Sequence, residues 1–123
     1  MDQRLRYLST RGEAAQLGFD DVLIAGLATD GGLYTPLAYP RVAPSDIAAL
    51  AGRPYAEATA RLIAPYLSET FSPDILRAQT ASAYSEFRHS AIAPLTQIAD
   101  NLFILELFHG PTLAFKDLAM QLL

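Results

Sequence analysis

The strongest candidate for chemistry in this sequence is a lysine that follows an apolar run. Residues 102–108 form a nearly continuous apolar segment, which is typical of a strand buried on both faces of a sheet. After a loop over 109–112, Lys116 lies in a predicted helix over 113–123. Reactive groups of α/β folds often lie at such strand-to-helix junctions. A lysine amine shielded from water there can form a Schiff base with an aldehyde cofactor, and Asp117 beside it can orient the site.

Three other polar residues give weaker signals. His109 lies beside the lysine segment and is either a substrate contact or a hydrogen-bonded loop residue, and we favour the loop role. Thr112 either contacts a phosphate or braces the turn, and the sequence favours neither role. Arg11 with Gly12 is a weak phosphate signal, so we favour a packing role between domains for this pair.

Two pairs of residues that resemble known sites have structural explanations. Gly31 and Gly32 are not followed by the Lys-Ser/Thr pair of a phosphate loop, so they predict a turn. Asp20 and Asp21 fall in the first turn of a predicted helix, where the helix dipole favours acidic residues. We therefore do not interpret these two acids as a catalytic pair.

Composition restricts the class of protein. The 123 residues are 51% hydrophobic and 18% charged, a balance that excludes a disordered segment. A net charge of −4 without a basic run argues against nucleic-acid binding. The absence of cysteine excludes thiol catalysis, and two histidines, His89 and His109, are too few for a zinc site. No apolar run approaches the ~20 residues of a membrane span. We therefore expect a cytoplasmic protein with no metal, nucleic-acid or membrane partner.

The elements that must position Lys116 are short strands at both ends of the chain, with four or five helices between them. Prolines and glycines set most boundaries, and the clearest is Pro73, which follows a predicted cap at Ser72. Ser45 is a second predicted cap. The predicted strands cover 4–9, 33–35, 95–98 and 102–108, and the predicted helices run from Phe19 to a turn at 29–32 and over 46–50, 55–63, 73–87 and 113–123.

Three stretches of the sequence resemble the threonine synthase family of pyridoxal-phosphate (PLP) enzymes. Segment 107–117 resembles the one that holds the cofactor lysine. Segment 7–13 resembles the opening strand of that family, and 26–36 resembles the segment that follows it. The order is that of the family, while 41–91 matches nothing specific. Ala114 stands where related enzymes of the tryptophan-synthase-β type often carry serine, which points to the threonine synthase branch.

The resemblance implies the small N-terminal domain of a fold-type II PLP enzyme. It places this domain over 1–94 and the beginning of the PLP-binding domain over 95–123. The implied reaction converts O-phosphohomoserine and water to threonine and phosphate. Lys116 is then both the catalytic residue and the attachment point of PLP, and this outweighs the alternative of a solvated helix lysine. The implied partners are O-phosphohomoserine and the remainder of the PLP domain.

Two other functions stay open, and the end of the sequence adds an expectation. A PLP-dependent phospho-lyase on the same substrate releases a keto acid, and a non-catalytic interaction domain is the alternative from another class. The sequence stops within an apolar pattern that includes Phe115 and Leu118, so we expect a piece of a longer protein. Without a glycine-rich phosphate cradle near Lys116, this piece is not expected to hold PLP. It is expected to self-associate through an exposed C-terminal helix, or to fold this C-terminal segment back on itself.

Overall fold

A computed structural model describes residues 5–67 and 70–123. The α/β arrangement predicted from the sequence is confirmed, with short strands towards both ends and four α-helices between them. None of the helices in these ranges is long and apolar enough to cross a membrane. The elements in chain order are β1 (Tyr7–Ser9), α1 (Phe19–Ala25), β2 (Tyr34–Pro36), α2 (Pro44–Ala48), α3 (Tyr55–Ile63), a 3-10 turn (Ala64–Tyr66), α4 (Pro73–Ala83), β3 (Leu95–Ala99), β4 (Leu102–Leu105) and α5 (Asp117–Met120).

The chain forms two compact units. The first comprises Met1–Ala51 with Arg61–Pro73, and the second comprises Gly52–Ala60 with Asp74–Leu123. In the first unit, β1 and β2 pair antiparallel, with Leu8 opposite Thr35. The buried Tyr7 donates its hydroxyl to the carbonyl of Tyr66 (2.5 Å). This aromatic anchor ties the strand pair to the segment that follows α3.

A carboxylate joins the two turns of the first unit. Oδ1 of Asp30 accepts hydrogen bonds from Oγ of Ser9 (2.7 Å) and from the backbone N–H of Gly32 (2.9 Å). Oδ2 accepts two more, from the backbone N–H groups of Glu13 (3.1 Å) and Ala14 (3.0 Å). The bond from Ser9, helped by the three backbone donors, outweighs partial burial and lowers the pKa of Asp30. Asp30 therefore stays ionised and holds 7–13 against 26–36.

The glycine pair after Asp30 is a structural turn, as predicted. Gly31 has a φ of +77°, in the left-handed region that side chains rarely adopt. A Cβ atom on Gly32 would overlap Oγ of Ser9. The hydroxyl of Thr10 accepts a hydrogen bond from the backbone N–H of Leu33 (3.0 Å). Backbone shape and close approach both require glycine here.

The second unit contains an aromatic cluster and a strand pair. Tyr84 is buried and donates its hydroxyl to the carbonyl of Leu118 (3.0 Å). Its ring meets those of Tyr55 and Phe87 edge-on, with ring centres 5.0 Å and 5.4 Å away. Strands β3 and β4 pair antiparallel around the predicted turn at 100–101, where Asn101 has a φ of +57°. The tyrosine thus connects α4 to α5, the helix that follows Lys116.

Three details of the predicted elements are wrong. Strand β4 is not buried on both faces, because its four side chains are 47–54% exposed in a two-stranded ribbon. Ser45 lies inside α2, whose N-cap is Ala43, since Pro44 fixes the first helical turn. The helix predicted over 113–123 is only Asp117–Met120, because hydrogen bonds to Asp117 shape the preceding residues into a turn.

Most helix starts agree with the sequence, while several ends do not. Helix α3 has the predicted bounds, and α4 begins at Pro73 as expected but stops at Ala83. Helix α1 ends at Ala25 because Gly26 adopts a φ of +67°, before the predicted stop at 29–32. The cap assigned to Ser72 stays a prediction.

We expect Asp30→Asn to destabilise the chain. An asparagine amide keeps one acceptor oxygen but points an N–H₂ group at the donors of Glu13 and Ala14. Urea unfolding at pH 7 should show a lower midpoint for Asp30→Asn than for Asp21→Asn, which changes an exposed first-turn residue.

The loss of stability in Asp30→Asn should also depend on pH. Because the folded-state pKa of Asp30 is lowered, its contribution is complete above the unfolded value of about 4 and disappears as pH falls through the folded value. The difference in unfolding free energy between wild type and Asp30→Asn should therefore become smaller below about pH 4. A gap of constant size down to pH 2 would contradict the proposed role of the ionised carboxylate.

Candidate functional site

Lys116 is the only lysine of the sequence and lies at the N-cap of α5. Its side chain is exposed and has no hydrogen-bond or ion-pair partner among residues 5–67 and 70–123. Its backbone is helical already, with φ −64° and ψ −22°, and its carbonyl accepts the N–H of Met120 (2.9 Å). The structure therefore combines a fixed backbone with a primary amine that is open to a ligand.

The neighbouring carboxylate closes the loop that leads to Lys116. Asp117 is 3% exposed. Its Oδ2 accepts the backbone N–H of Thr112 (2.8 Å), and its Oδ1 accepts the hydroxyl of the same residue (2.7 Å). Gln121 adds a longer contact from Nε2 at 3.5 Å. The four residues between Thr112 and Asp117 are thus folded into a closed turn that carries the lysine.

The ionisation of Asp117 follows from these bonds. Burial alone raises the pKa of this carboxyl, because it disfavours the charged form. The hydrogen bonds from the hydroxyl and backbone of Thr112, with a smaller one from Gln121, outweigh burial and bring the pKa below its ordinary value. Asp117 is therefore a carboxylate at neutral pH, and it directly follows Lys116 in the sequence.

The loop fits around Asp117 only with glycine at one position. Gly110 is buried, and a Cβ atom on it would overlap the side chain of Asp117. Its carbonyl accepts the N–H of Leu113 (3.2 Å). Leu113 has a φ of +63°, a strained conformation for a bulky residue that costs about 1–3 kcal/mol. Such local strain persists only where surrounding contacts impose it, and the contacts here are those of Asp117.

A second cluster lies at the start of the loop. The side chain of His109 is mostly buried, and its Nε2 is 2.6 Å from Oε2 of Glu106. The other oxygen of Glu106 accepts the hydroxyl of Thr96 across the β3–β4 pair (2.9 Å). The backbone carbonyl of His109 accepts the N–H of Arg88 (2.8 Å). His109 is thus a hydrogen-bonded loop residue, as we expected from the sequence.

The remaining candidates have structural partners. Thr112 braces the turn through both its N–H and its hydroxyl. Arg11 donates to the backbone carbonyl of Asp30 (3.0 Å), which is a structural contact within the first unit. Asp20 contacts the hydroxyl of Thr70. Glu106 was missed from the sequence, although it is the one acidic residue within the apolar run 102–108.

Comparison with known proteins identifies the same family over most of the chain. The family model described as threonine synthase N terminus matches residues 6–84, which is more than half of the sequence. The threonine synthase of Pseudomonas aeruginosa is 49% identical over 119 residues, covering 97% of this chain and 25% of that protein. The threonine synthase of Schizosaccharomyces pombe is 38% identical over 124 residues, covering all of this chain and 24% of that protein.

Solved structures agree with the sequence comparison. The crystal structure of PLP-bound threonine synthase from Brucella melitensis has a TM-score of 0.93 at 50% identity, over 96% of this chain and 25% of that one. Threonine synthase from yeast has a TM-score of 0.82 at 34% identity, over 99% of this chain and 25% of that one. The chain therefore has the fold of this part of the enzyme and spans about a quarter of the length of the relatives it matches.

We expect Gly110→Ala to open the turn that the bonds between Thr112 and Asp117 close. The added methyl group displaces the side chain of Asp117, so the bond from the N–H of Thr112 is weakened. Amide hydrogen exchange at Thr112 should become faster. Gly18→Ala is the matched control, because Gly18 has an ordinary φ of −78° and its Cβ would meet only an arginine side chain at 3.8 Å. Equal exchange in Gly110→Ala and wild type would show that the loop does not depend on this contact.

Proposed function

The chain belongs to the threonine synthase family, and we propose that the protein is a PLP-dependent enzyme that converts O-phosphohomoserine and water to threonine and phosphate. The observation that carries the proposal is Lys116, an exposed amine without a side-chain partner among the described residues. The amine lies on a turn closed by the buried carboxylate of Asp117. In a chain 49% identical to a threonine synthase, this is the arrangement that a covalent cofactor site needs.

The residues around Lys116 fit a PLP group in one respect. The amine of Lys116 is the covalent attachment point in this proposal, and the similarity to the PLP-bound threonine synthase of Brucella melitensis supports it. When bound, PLP supplies an electron sink for carbon atoms of an amino-acid substrate. The partners of the cofactor phosphate lie elsewhere in this proposal, since the glycine pair after Asp30 is occupied as a structural turn.

The chain's own residues then have separate tasks. Asp117 and Thr112 hold the turn, so that the backbone of Lys116 stays at a fixed place at the N-cap of α5. When not bound to the cofactor, the amine of Lys116 would be free to accept a proton at Nζ as a general base.

The domain boundary and the surface that contacts the remainder of the PLP domain belong to the same proposal. We place the N-terminal domain at 1–94 and the beginning of the PLP-binding domain at 95–123. Strand β4 leaves its side chains about half exposed, and Phe115 and Leu123 are 65% and 81% exposed. Exposed apolar side chains of this extent mark a surface that another part of a protein covers. In this proposal the remainder of the PLP domain covers them, and the cytoplasmic location stays a prediction.

In isolation, the 123-residue chain should self-associate through these apolar side chains. Light scattering should show oligomers, which Phe115→Lys combined with Leu123→Lys weakens. Leu118 and Leu122 are less suitable targets because both are partly buried. Ile24→Lys is the control, since Ile24 is 87% exposed and lies in α1 of the other unit. A monodisperse monomer at high concentration would contradict the expectation.

Lys116→Ala in the complete enzyme should abolish both threonine formation and PLP attachment. The cause is the loss of the only amine that the described site offers to the cofactor aldehyde. Phosphate release, threonine formation and cofactor absorbance are measured on the same preparations, with Arg11→Ala as a variant outside the proposed site. Retained PLP attachment in Lys116→Ala would overturn the assignment. A wild-type enzyme that releases a keto acid instead of threonine would favour the phospho-lyase alternative.

A further inference from the structure

The Glu106–His109 pair has a geometry that the sequence did not reveal. Both side chains are mostly buried, with 23% of Glu106 and 18% of His109 exposed. Glu106 follows β4 directly, and each of its oxygens has one partner. Oε1 accepts the hydroxyl of Thr96 (2.9 Å), and Oε2 lies 2.6 Å from Nε2 of His109. The carboxylate is thus fixed from one side and holds the imidazole on the other.

This contact determines where the imidazole carries its proton. The hydrogen bond from His109, with that from Thr96, lowers the pKa of Glu106, so the carboxylate is ionised and can only accept. Nε2 of His109 is then the donor, and in the neutral ring the lone pair is on Nδ1. Within 5–67 and 70–123 no residue bonds to this nitrogen, whereas Nδ1 of His89 accepts the N–H of Ala91 (3.1 Å).

The closed loop brings His109 and Lys116 to adjoining parts of the backbone. Gly110, next to His109, lies directly against the side chain of Asp117, next to Lys116. The carbonyl of His109 accepts a hydrogen bond from the N–H of Arg88, and this bond fixes the backbone that carries the imidazole. A mostly buried imidazole, whose Nδ1 has no partner among the described residues, is therefore carried by the backbone that adjoins the proposed cofactor lysine.

We propose that Glu106 is a positioning residue for His109 and that Nδ1 of His109 accepts the proton of the water consumed in the reaction. This inference rests on the proposed function. Of the two hydrogens of that water, one stays on the oxygen in the new hydroxyl group. The other moves to Nδ1 as a lone pair of the oxygen forms the C–O bond to an unsaturated carbon of the substrate. The electron pair of the broken O–H bond stays on the oxygen, and the π pair of that carbon would pass to the electron sink. Glu106 balances the imidazolium charge, as a carboxylate does for a catalytic histidine.

The first test uses the product ratio of the complete enzyme. Without a base for the water, the path to threonine slows while phosphate loss continues, so more substrate ends as keto acid. His109→Asn and Glu106→Gln should each lower the ratio of threonine to keto acid roughly 100-fold, which is typical of a lost general base. Thr96→Val should lower it less. His89→Asn is the matched control, because the ring of His89 lies 5.1 Å from that of His109 and an asparagine can still accept the N–H of Ala91.

The second test does not depend on activity. Nitrogen-15 NMR of the histidine rings in the complete protein, with the His109 signal identified by its loss in His109→Asn, should place the proton of the neutral ring on Nε2. Glu106→Leu should remove this preference. Glu106 and His89 are the titratable groups placed beside the ring, so the spectra are compared with those of His89→Asn. A proton on Nδ1 in the wild type would overturn the proposal.

The outcomes separate this inference from the proposed function. If the wild type forms no threonine, the proposed function fails. If the wild type forms threonine and His109→Asn keeps the wild-type product ratio, the proposed function stands and the role of His109 fails. Equal loss of phosphate release and threonine formation in every His109 and Glu106 variant, at an unchanged ratio, would also overturn the role, because it indicates damage to the fold of the loop.

Discussion

The buried carboxylate of Asp117 is the interaction on which the lysine segment depends. A charged group out of water is costly unless it is fully hydrogen-bonded, and Asp117 meets this requirement by accepting two bonds from Thr112. The same bonds force the turn, require glycine at position 110 and hold Leu113 in a strained conformation. The backbone position of Lys116 therefore follows from the hydrogen bonds that the buried carboxylate of Asp117 requires.

The first unit contains a second ionised carboxylate, Asp30, that closes a loop by accepting hydrogen bonds. Asp30 accepts one hydroxyl and three backbone donors, and it brings together two segments that are separate in the sequence. Both carboxylates are acceptors only, both face backbone N–H groups, and both have a glycine packed against them. The segments that resemble the threonine synthase family thus coincide with two loops that are closed by an ionised aspartate.

Local rules predicted much of the fold, and tertiary contacts explain what they missed. Pro73 and the turn at 100–101 were readable because proline and turn residues act on their own backbone. The side chain of Ser45 was misassigned as a cap because Pro44 competed for the same helix start. The partners of Asp30 and Glu106 are distant or across a strand pair, so no local pattern indicates them. The position of Lys116 near a helix start and the orienting role of Asp117 were predictable, but the bonds from Thr112 that bury this carboxylate and close the turn were not.

The central claim is that Lys116 is the amine that carries PLP. The most direct measurement is borohydride reduction of the complete enzyme, followed by peptide mapping with mass spectrometry. The account predicts one phosphopyridoxyl group per chain, on the peptide that contains Lys116, and less label when Asp117→Asn loosens the turn. A label on any other lysine of the complete protein, with Lys116 unmodified, would contradict the account.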